Sequence, residues 1–300
     1  MKTKFFLTAI ITVFALTTAI AQTTLQLNLQ KGETYYQSSK TNSVTTQTIS
    51  GVSMVITTTI DAKYSYKVTG ADENNYDLEV KYEKLLVSTS MPQMSISYSS
   101  ENPKDAISSA LSGMTKRSFN IKMNKLGEVL EVRNLDKLIG ESISQNGGLS
   151  EMEKQQIIQL LNEDQFKGSI EMATAIYPKA AVSKGDSWEM ASSINSAGIS
   201  ISIKTKYTLA ENSGNYNKVM GISTIESDPN AVPMQSQGMS IKYKLSGTGT
   251  TQITLDAKSG WITEATIEQK IKGDMQILDG MAAGMNVPIS IDNITAISNK

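Results

Sequence analysis

The side chains that most often perform chemistry in proteins are missing from this sequence, which has no histidine and no cysteine among its 300 residues. The lack of histidine excludes serine–histidine triads and removes the commonest general base and zinc ligand. The lack of cysteine excludes disulfides, thiolate nucleophiles and cysteine metal sites. The sequence also has no G-x-S-x-G motif, no S-x-x-K pair and no P-loop. We therefore predict no catalytic residue, no cofactor and no metal site.

Carboxylates are the remaining acid–base candidates, and the most prominent ones lie where a turn or a backbone cap accounts for an acidic residue. Asp72-Glu73-Asn74-Asn75 is rich in oxygen ligands and could hold calcium, but it lacks the alternating spacing of a calcium loop. We interpret it as an exposed hairpin turn, and we expect Asp186 to accept hydrogen bonds from backbone amides. A carboxylate-dependent hydrolase, such as a glycosidase, needs only two acids and stays open as a third hypothesis.

Methionines are better candidates for a binding site. The chain has 15 methionines against five phenylalanines, and several lie near predicted loops. Methionine adapts its shape to varied apolar partners and is favoured at surfaces that bind them, although core filling is the alternative explanation. The candidate contacts for an apolar ligand are Met91, Met94, Met234, Met239, Met281 and Met285.

Apolar and polar side chains alternate along much of the chain, which predicts long strands. The candidate methionines lie in or between these predicted strands. From Val52 to Val68 the even positions are mostly apolar and the odd positions mostly polar, which is the pattern of a half-buried strand. A turn-rich stretch follows at residues 70–75, and a return strand starts at Tyr76, so a hairpin is predicted. A ribbon of this length twists and curves, and its concave apolar face has to be filled.

The second half of the sequence repeats the plan of the first. Lys31-Gly32-Glu33-Thr34-Tyr35 returns as Lys184-Gly185-Asp186-Ser187-Trp188, and further strands and turns match in the same order. This order favours internal duplication over chance likeness among hairpins. We predict a mainly β (α+β) fold, in which two related halves form one curved antiparallel sheet. The predicted single domain spans 22–300, with half one at 22–134, a helical excursion at 135–177 and half two at 178–300.

Helices are predicted between the two halves and inside the first. Ser150 and Glu153 form a capping box at the start of a helix in the excursion. A shorter helix is predicted to open at Asn102-Pro103 and to end at Gly113. We expect these helices to pack on the concave face of the sheet. A lid over a cavity is the alternative.

The amino terminus has the layout of a secretory signal peptide over residues 1–21. Lys2 and Lys4 precede an apolar run, and Ala19-Ile20-Ala21 is a small-x-small cleavage site. The apolar run is too short for a membrane span of about 20 residues. We therefore expect an exported protein, periplasmic or extracellular, with no transmembrane segment after cleavage.

Net charge narrows the choice of partners. The whole chain has a formal charge of −1, and removal of Lys2 and Lys4 makes the mature chain more acidic. Nucleic acids and anionic membrane surfaces attract basic proteins, so neither is expected as a partner.

One short stretch resembles a known family. Gly185-Asp186-Ser187-Trp188 is similar to the mid-chain signature of an uncharacterised family of exported Bacteroidetes proteins. That resemblance implies export but no activity. The predicted architecture also resembles LolA-type periplasmic lipid carriers, in which a curved antiparallel sheet wraps around helices. This looser likeness concerns architecture alone, which does not establish function.

Three functions are compatible with these observations. The first is a non-enzymatic envelope protein that binds an apolar small molecule, a lipid or an envelope protein. The second is a structural or protein-interaction module whose concave face is filled by its own helices. The third is the hydrolase. An accessible apolar cavity favours the first, a filled core the second, and two facing carboxylates in a cleft the third.

The export prediction is tested by the mass of the natural product. Intact-mass analysis of protein purified from its native host should give a chain that starts at Gln22, because cleavage follows Ala21. A product that retains Met1 inside the cell would contradict the prediction.

Overall fold

The computed structural model describes residues 22–49, 51–145, 148–196, 199–236, 239–280 and 282–300. The predicted signal peptide lies outside these ranges, as does Met281. The described strands are β1 (Thr34–Ile49), β2 (Val52–Ala71), β3 (Asn75–Met91), β4 (Met94–Ser99), β5 (Ser118–Asn124), β6 (Val129–Arg133), β7 (Ser187–Ser196), β8 (Ile199–Asn212), β9 (Tyr216–Ser227), β10 (Met234–Ser236), β11 (Met239–Asp256), β12 (Ile262–Ile277) and β13 (Asn286–Ser298). The described helices are α1 (Ala106–Met114), α2 (Leu135–Ser144), α3 (Glu151–Leu161) and α4 (Glu163–Thr174).

All of the described strands belong to one antiparallel sheet of 13 strands. Its order is β6-β5-β3-β2-β1-β13-β12-β11-β9-β8-β7, with β4 added to β3 and β10 added to β11. The carboxyl-terminal strand β13 pairs with β1 on one side and β12 on the other, so it joins the two halves. The predicted fold class, a curved antiparallel sheet from two related halves with inserted helices, is confirmed.

The sheet has an inner face, which carries the core, and an outer face exposed to solvent. In β2, Tyr66 and Val68 are buried on the inner face, whereas Lys67 between them is exposed on the outer face.

The sheet also has two ends. The near end is where β1 begins and β2 ends, and the far end is where β1 ends and β2 begins.

Helix α4 and the amino-terminal segment cover the inner face at the near end. Phe166 of α4 packs edge-on against Phe119 of β5, with 4.8 Å between ring centroids. The segment before β1 adds three buried leucines to the same core, namely Leu25, Leu27 and Leu29. The expected packing of helices on the concave face is thus observed at this end.

The same chain corner opens each half at the near end. Gly32 and Gly185 have φ angles of 92° and 95°, a left-handed conformation that glycine adopts without steric cost. In each corner, the glycine amide donates a hydrogen bond to a backbone carbonyl, and the carbonyl of the next residue accepts one from the amide of the same partner. The partner of Gly32 and Glu33 is Val68 of β2, and the partner of Gly185 and Asp186 is Leu209 of β8. The repeated sequence motif therefore encodes a repeated turn. The domain boundaries given above remain predictions.

One helix start differs from the sequence prediction. The N-cap of α1 is Asp105, whose carboxylate accepts a hydrogen bond from the Ser108 amide at 2.8 Å. Asn102 and Pro103 lie before the helix. The prediction was wrong here because the Asp105 side chain caps the helix three residues further on. The predicted capping box of Ser150 and Glu153 is present at the start of α3.

The alternation in β2 gives a paired stability test. Tyr66→Asp should destabilise the fold by more than about 4 kcal/mol, because it places a carboxylate in a fully buried site. Lys67→Asp should cost less than about 1 kcal/mol, because its side chain is exposed on the outer face and the only charged residue directly opposite it in the sheet, Glu79 of β3, adds one cross-strand repulsion. Urea denaturation of both variants measures the difference. Equal stabilities would mean that the assigned register is wrong.

Candidate functional site

The cover on the inner face stops partway along the strands of the first half. Alternate residues of β2 share this face, so Tyr66, Ala62, Ile60 and Ile56 form a row that runs towards the far end. Tyr66 and Ala62 are 0% and 3% exposed, whereas Ile60 is 40% exposed. The row thus passes from a closed core to an uncovered surface within one strand.

Apolar side chains from three neighbouring strands form this uncovered surface, which we call the open face. Ile60 of β2 lies opposite Val87 of β3, and Val87 lies opposite Tyr98 of β4. Further along, Thr89 of β3 lies opposite Ile96 of β4. Val87 and Ile96 are half-buried. Tyr98 is half-buried too, but it packs against the core cluster, so it lies at the edge of this surface. The open face therefore consists of the inner-face side chains of β1 to β4 on the far side of Ala62.

Strand β1 gives the open face a polar border. Its inner-face residues are Thr41, Ser43, Thr45 and Gln47, and the Thr41 hydroxyl lies 2.9 Å from that of Thr295 in β13. The side-chain oxygen of Asn293, opposite Ser43, is buried with no hydrogen-bond partner among the described residues. An apolar strip therefore runs beside a row of hydroxyl and amide groups.

The far end of the second half is filled instead of open. Its inner face carries a cluster of buried residues from five strands: Ile201, Ile203, Ile225, Leu245, Ile271 and Ile289. Cα atoms of β8 and β11 approach within 8 Å although β9 lies between them. A flat sheet with a strand spacing of about 4.8 Å does not allow that approach. The second half is therefore sharply bent around its own side chains.

Two glycines permit the close approach of β11 and β12 in the second half. A Cβ atom on Gly247 would lie 2.4 Å from the Lys270 carbonyl oxygen, and one on Gly273 would lie 1.9 Å from the Lys244 carbonyl oxygen. Only glycine fits where two backbones approach so closely.

The structure places the candidate methionines in two groups at the far end. Met91 and Met94 face each other across the β3–β4 hairpin. Met234 pairs with Ile241, Met239 lies at the start of β11, and the Met285 carbonyl accepts a hydrogen bond from the Ile277 amide. Four strands lie between β3 and β11 in the sheet, and two lie between β3 and β13, which Met285 precedes. Met91 and Met94 belong to the open face; a ligand role for any of these methionines remains a prediction.

Sequence reasoning placed Ile60 on the correct face but missed its part in the site. Ile60, Tyr64 and Tyr66 follow the same period of two, and nothing in that pattern shows where the helices stop. The predicted ligand contacts therefore fell on loop methionines, whereas the open face also includes isoleucine and valine within the strands.

Three carboxylates accept hydrogen bonds from backbone amides. Asp72 accepts hydrogen bonds from the amides of Asn74 and Asn75 in the near-end turn, which lowers its pKa. Asp186 accepts one from the Ser183 amide at 2.8 Å. Burial raises the pKa of Glu171 above its ordinary value, but that carboxylate accepts a hydrogen bond from the Val129 amide. In the described part of the chain, no three acidic residues lie close enough to hold a metal ion.

The Gly185-Asp186-Ser187-Trp188 signature is a structural corner. The Trp188 indole donates a hydrogen bond to the Ile176 carbonyl at 2.8 Å and packs against Tyr207. It thereby ties the segment after α4 to the start of β7. Trp261 is a similar anchor, since it is buried and donates to the Tyr36 carbonyl.

A family model matches residues 73–262, which is more than half of the chain. The chain belongs to DUF6263, a family of unknown function. The matched range includes the Gly185–Trp188 signature, and the predicted membership of an uncharacterised family is confirmed. No curated protein matches the sequence.

Five solved structures similar to this chain have sequence identities of 7–10% and TM-scores below 0.5. A lipovitellin structure, titled for its lipid–protein interactions, has a TM-score of 0.49 and 10% identity over 91% of this chain and 25% of that chain. This chain thus spans about a quarter of the lipovitellin chain. An outer-membrane channel from Pseudomonas putida F1 has a TM-score of 0.24 and 7% identity over 91% of this chain and 97% of that chain. These likenesses carry no argument about function. Among the described helices, none combines the length and the apolar character that crossing a bilayer requires.

Exposure of the open face can be measured by methionine oxidation. Dilute hydrogen peroxide should oxidise Met94, which is 49% exposed, at least ten times faster than the fully buried Met123 of β5. Peptide mass spectrometry after timed quenching gives both rates, and urea-unfolded protein provides the control in which the two rates converge. Equal protection of Met94 and Met123 in the folded protein would show that this edge is covered.

Proposed function

We propose that this protein is a non-enzymatic, exported envelope protein that binds an apolar molecule of lipid type on the open face. The observation that carries the proposal is the exposure of Ile60 on the same strand face that buries Tyr66. A soluble domain seldom leaves a contiguous apolar patch uncovered unless the patch binds something.

The energetics of such a site need no catalytic or charged group. Each buried methylene contributes about 0.8 kcal/mol, so burying half of a long acyl chain offsets the several kcal/mol lost on association. This is compatible with a chain that has no histidine, no cysteine and no nucleophile motif.

The polar border orients the ligand. Hydroxyl groups of Thr41, Ser43 and Thr45 lie beside the apolar strip, and Thr41 already pairs with Thr295. A lipid with a neutral polar group can place its chain on Ile60 and Val87 and its polar group along β1. No charged side chain lies among the inner-face residues of β1 to β4 beyond Ala62.

A filled interaction module is the second candidate, and one observation favours it. The inner face of the second half carries its own cluster of packed isoleucines at the far end, which favours a filled core there. If a protein partner covers the open face in the cell, the inner face of both halves is filled, as an interaction module requires.

Native mass spectrometry separates the two candidates. Mature protein purified gently from its host should carry added lipid-sized mass, and Ile60→Asp should remove it by placing a charge in the apolar strip. Val44→Asp is the matched control: Val44 is 37% exposed, close to the 40% of Ile60, but it lies on the outer face of β1. We expect this control to keep the bound mass.

Circular dichroism establishes that both variants fold. A wild-type protein that is purified without bound lipid and does not bind added fatty acids or phospholipids would contradict the proposal. Equal loss of ligand in Ile60→Asp and Val44→Asp would place the binding site elsewhere.

A further inference from the structure

Charged residues are distributed very unevenly along the chain. Four segments contain no Asp, Glu, Lys or Arg, namely 41–60, 85–100, 190–203 and 229–241, and a fifth, 275–291, contains only Asp279. Serine, threonine, isoleucine, methionine and glycine dominate these segments.

The sheet brings all of these segments to its far end. Residues 41–60 span the β1–β2 hairpin, and residues 85–100 span the β3–β4 hairpin. Residues 275–291 join β12 to β13, and Gln47 of β1 pairs with Ile289 of β13. The remaining two segments lead from β7 into β8 and from β9 into β11. Because neighbouring strands are antiparallel, these connections share one end.

The near end has the opposite character. Its turns carry charged residues in both halves: Lys31 and Glu33, Asp72 and Glu73, Lys125 and Glu128, Lys184 and Asp186, and Asp256 and Lys258. The turn at residues 213–215 is the exception at the near end, since it carries no charge. The run of charge-poor segments at the far end still contrasts with the other near-end turns.

The one carboxylate within the five segments is used inside the fold. Asp279 accepts hydrogen bonds from the amide and the hydroxyl of Ser240, each at 2.5 Å. These two bonds lower its pKa. Asp279 thus holds the β12–β13 connection against the start of β11.

Exposed apolar side chains project from the same connections. Val52 is 71% exposed beside the β1–β2 turn, and Val232 is 83% exposed between β9 and β10. Ile49, Met94 and Leu278 are also exposed. No lysine or arginine accompanies them within the five segments.

We propose that the far end docks on the surface of a lipid bilayer and inserts these apolar side chains among neutral lipids. A charged side chain at the bilayer centre costs at least about 2.5 kcal/mol, so a surface that enters the bilayer is depleted of charge. Attraction to anionic lipids depends on clustered lysine and arginine, which this end lacks. The docking is therefore hydrophobic. It brings the open face, whose strands end here, next to the lipid, and it does not require a bound ligand.

Vesicle flotation tests the docking. Mature wild-type protein should float with phosphatidylcholine vesicles, equally well in low and high salt, and added phosphatidylglycerol should not increase the bound fraction. Val52→Asp/Val232→Asp should lower the bound fraction at least tenfold. The matched control is Leu130→Asp/Met152→Asp, which changes two similarly exposed apolar residues on β6 and α3 and should float like wild type.

Three results would overturn the inference: no flotation of the wild type, equal loss in both double variants, or binding only to anionic vesicles. A loss of self-association in Val52→Asp/Val232→Asp without any vesicle binding of the wild type would assign this end to a second copy of the chain. Ile60→Asp should float normally, so failure of ligand binding and failure of docking are distinguishable.

Discussion

The strands of the first half are longer than the layer that covers them. Helix α4 and the amino-terminal leucines close the inner face over Tyr66 and Phe119, and the cover has ended by Ile60. A sheet face is stable in water only where its apolar side chains are covered or are balanced by polar neighbours. The hydroxyl row of β1 supplies polar neighbours on the open face. The mismatch in length creates the candidate site.

The inner face at the far end is filled by side chains in the second half and uncovered in the first. The second half bends so sharply that Ile203, Ile225 and Ile271 cover one another, and Gly247 and Gly273 permit the close approach of backbones. The first half has no such glycines in the far part of β2 and β3, and the inner-face residues of β1 from Thr41 to Gln47 are polar, so they provide no apolar partners for a similar closure. A duplicated plan therefore gives one filled end and one open end.

Much of this fold could be predicted from the sequence, because period-two patterns and turn motifs act locally. The β2–β3 hairpin, the capping box at Ser150 and the paired corners at Gly32 and Gly185 are all present. The site was harder to predict. Ile60 and Tyr66 have equivalent positions in the pattern, and their difference in burial depends on the reach of a helix about 100 residues away in the chain. The uncharged segments are likewise far apart in the sequence, and only the strand pairing shows that they form one surface at the far end.

The central claim is that an apolar ligand lies on the open face of the first half. Methyl-resolved NMR of isoleucine-labelled protein tests it most directly, because isoleucines lie both on the open face and in the filled cluster of the second half. On addition of a long-chain fatty acid, the methyl signals of Ile56, Ile60 and Ile96 should shift and show contacts with the acyl chain. The signals of Ile225 and Ile271, in the filled second half, should not move. Unchanged signals at Ile60, or shifts confined to the outer-face Ile222, would contradict the account.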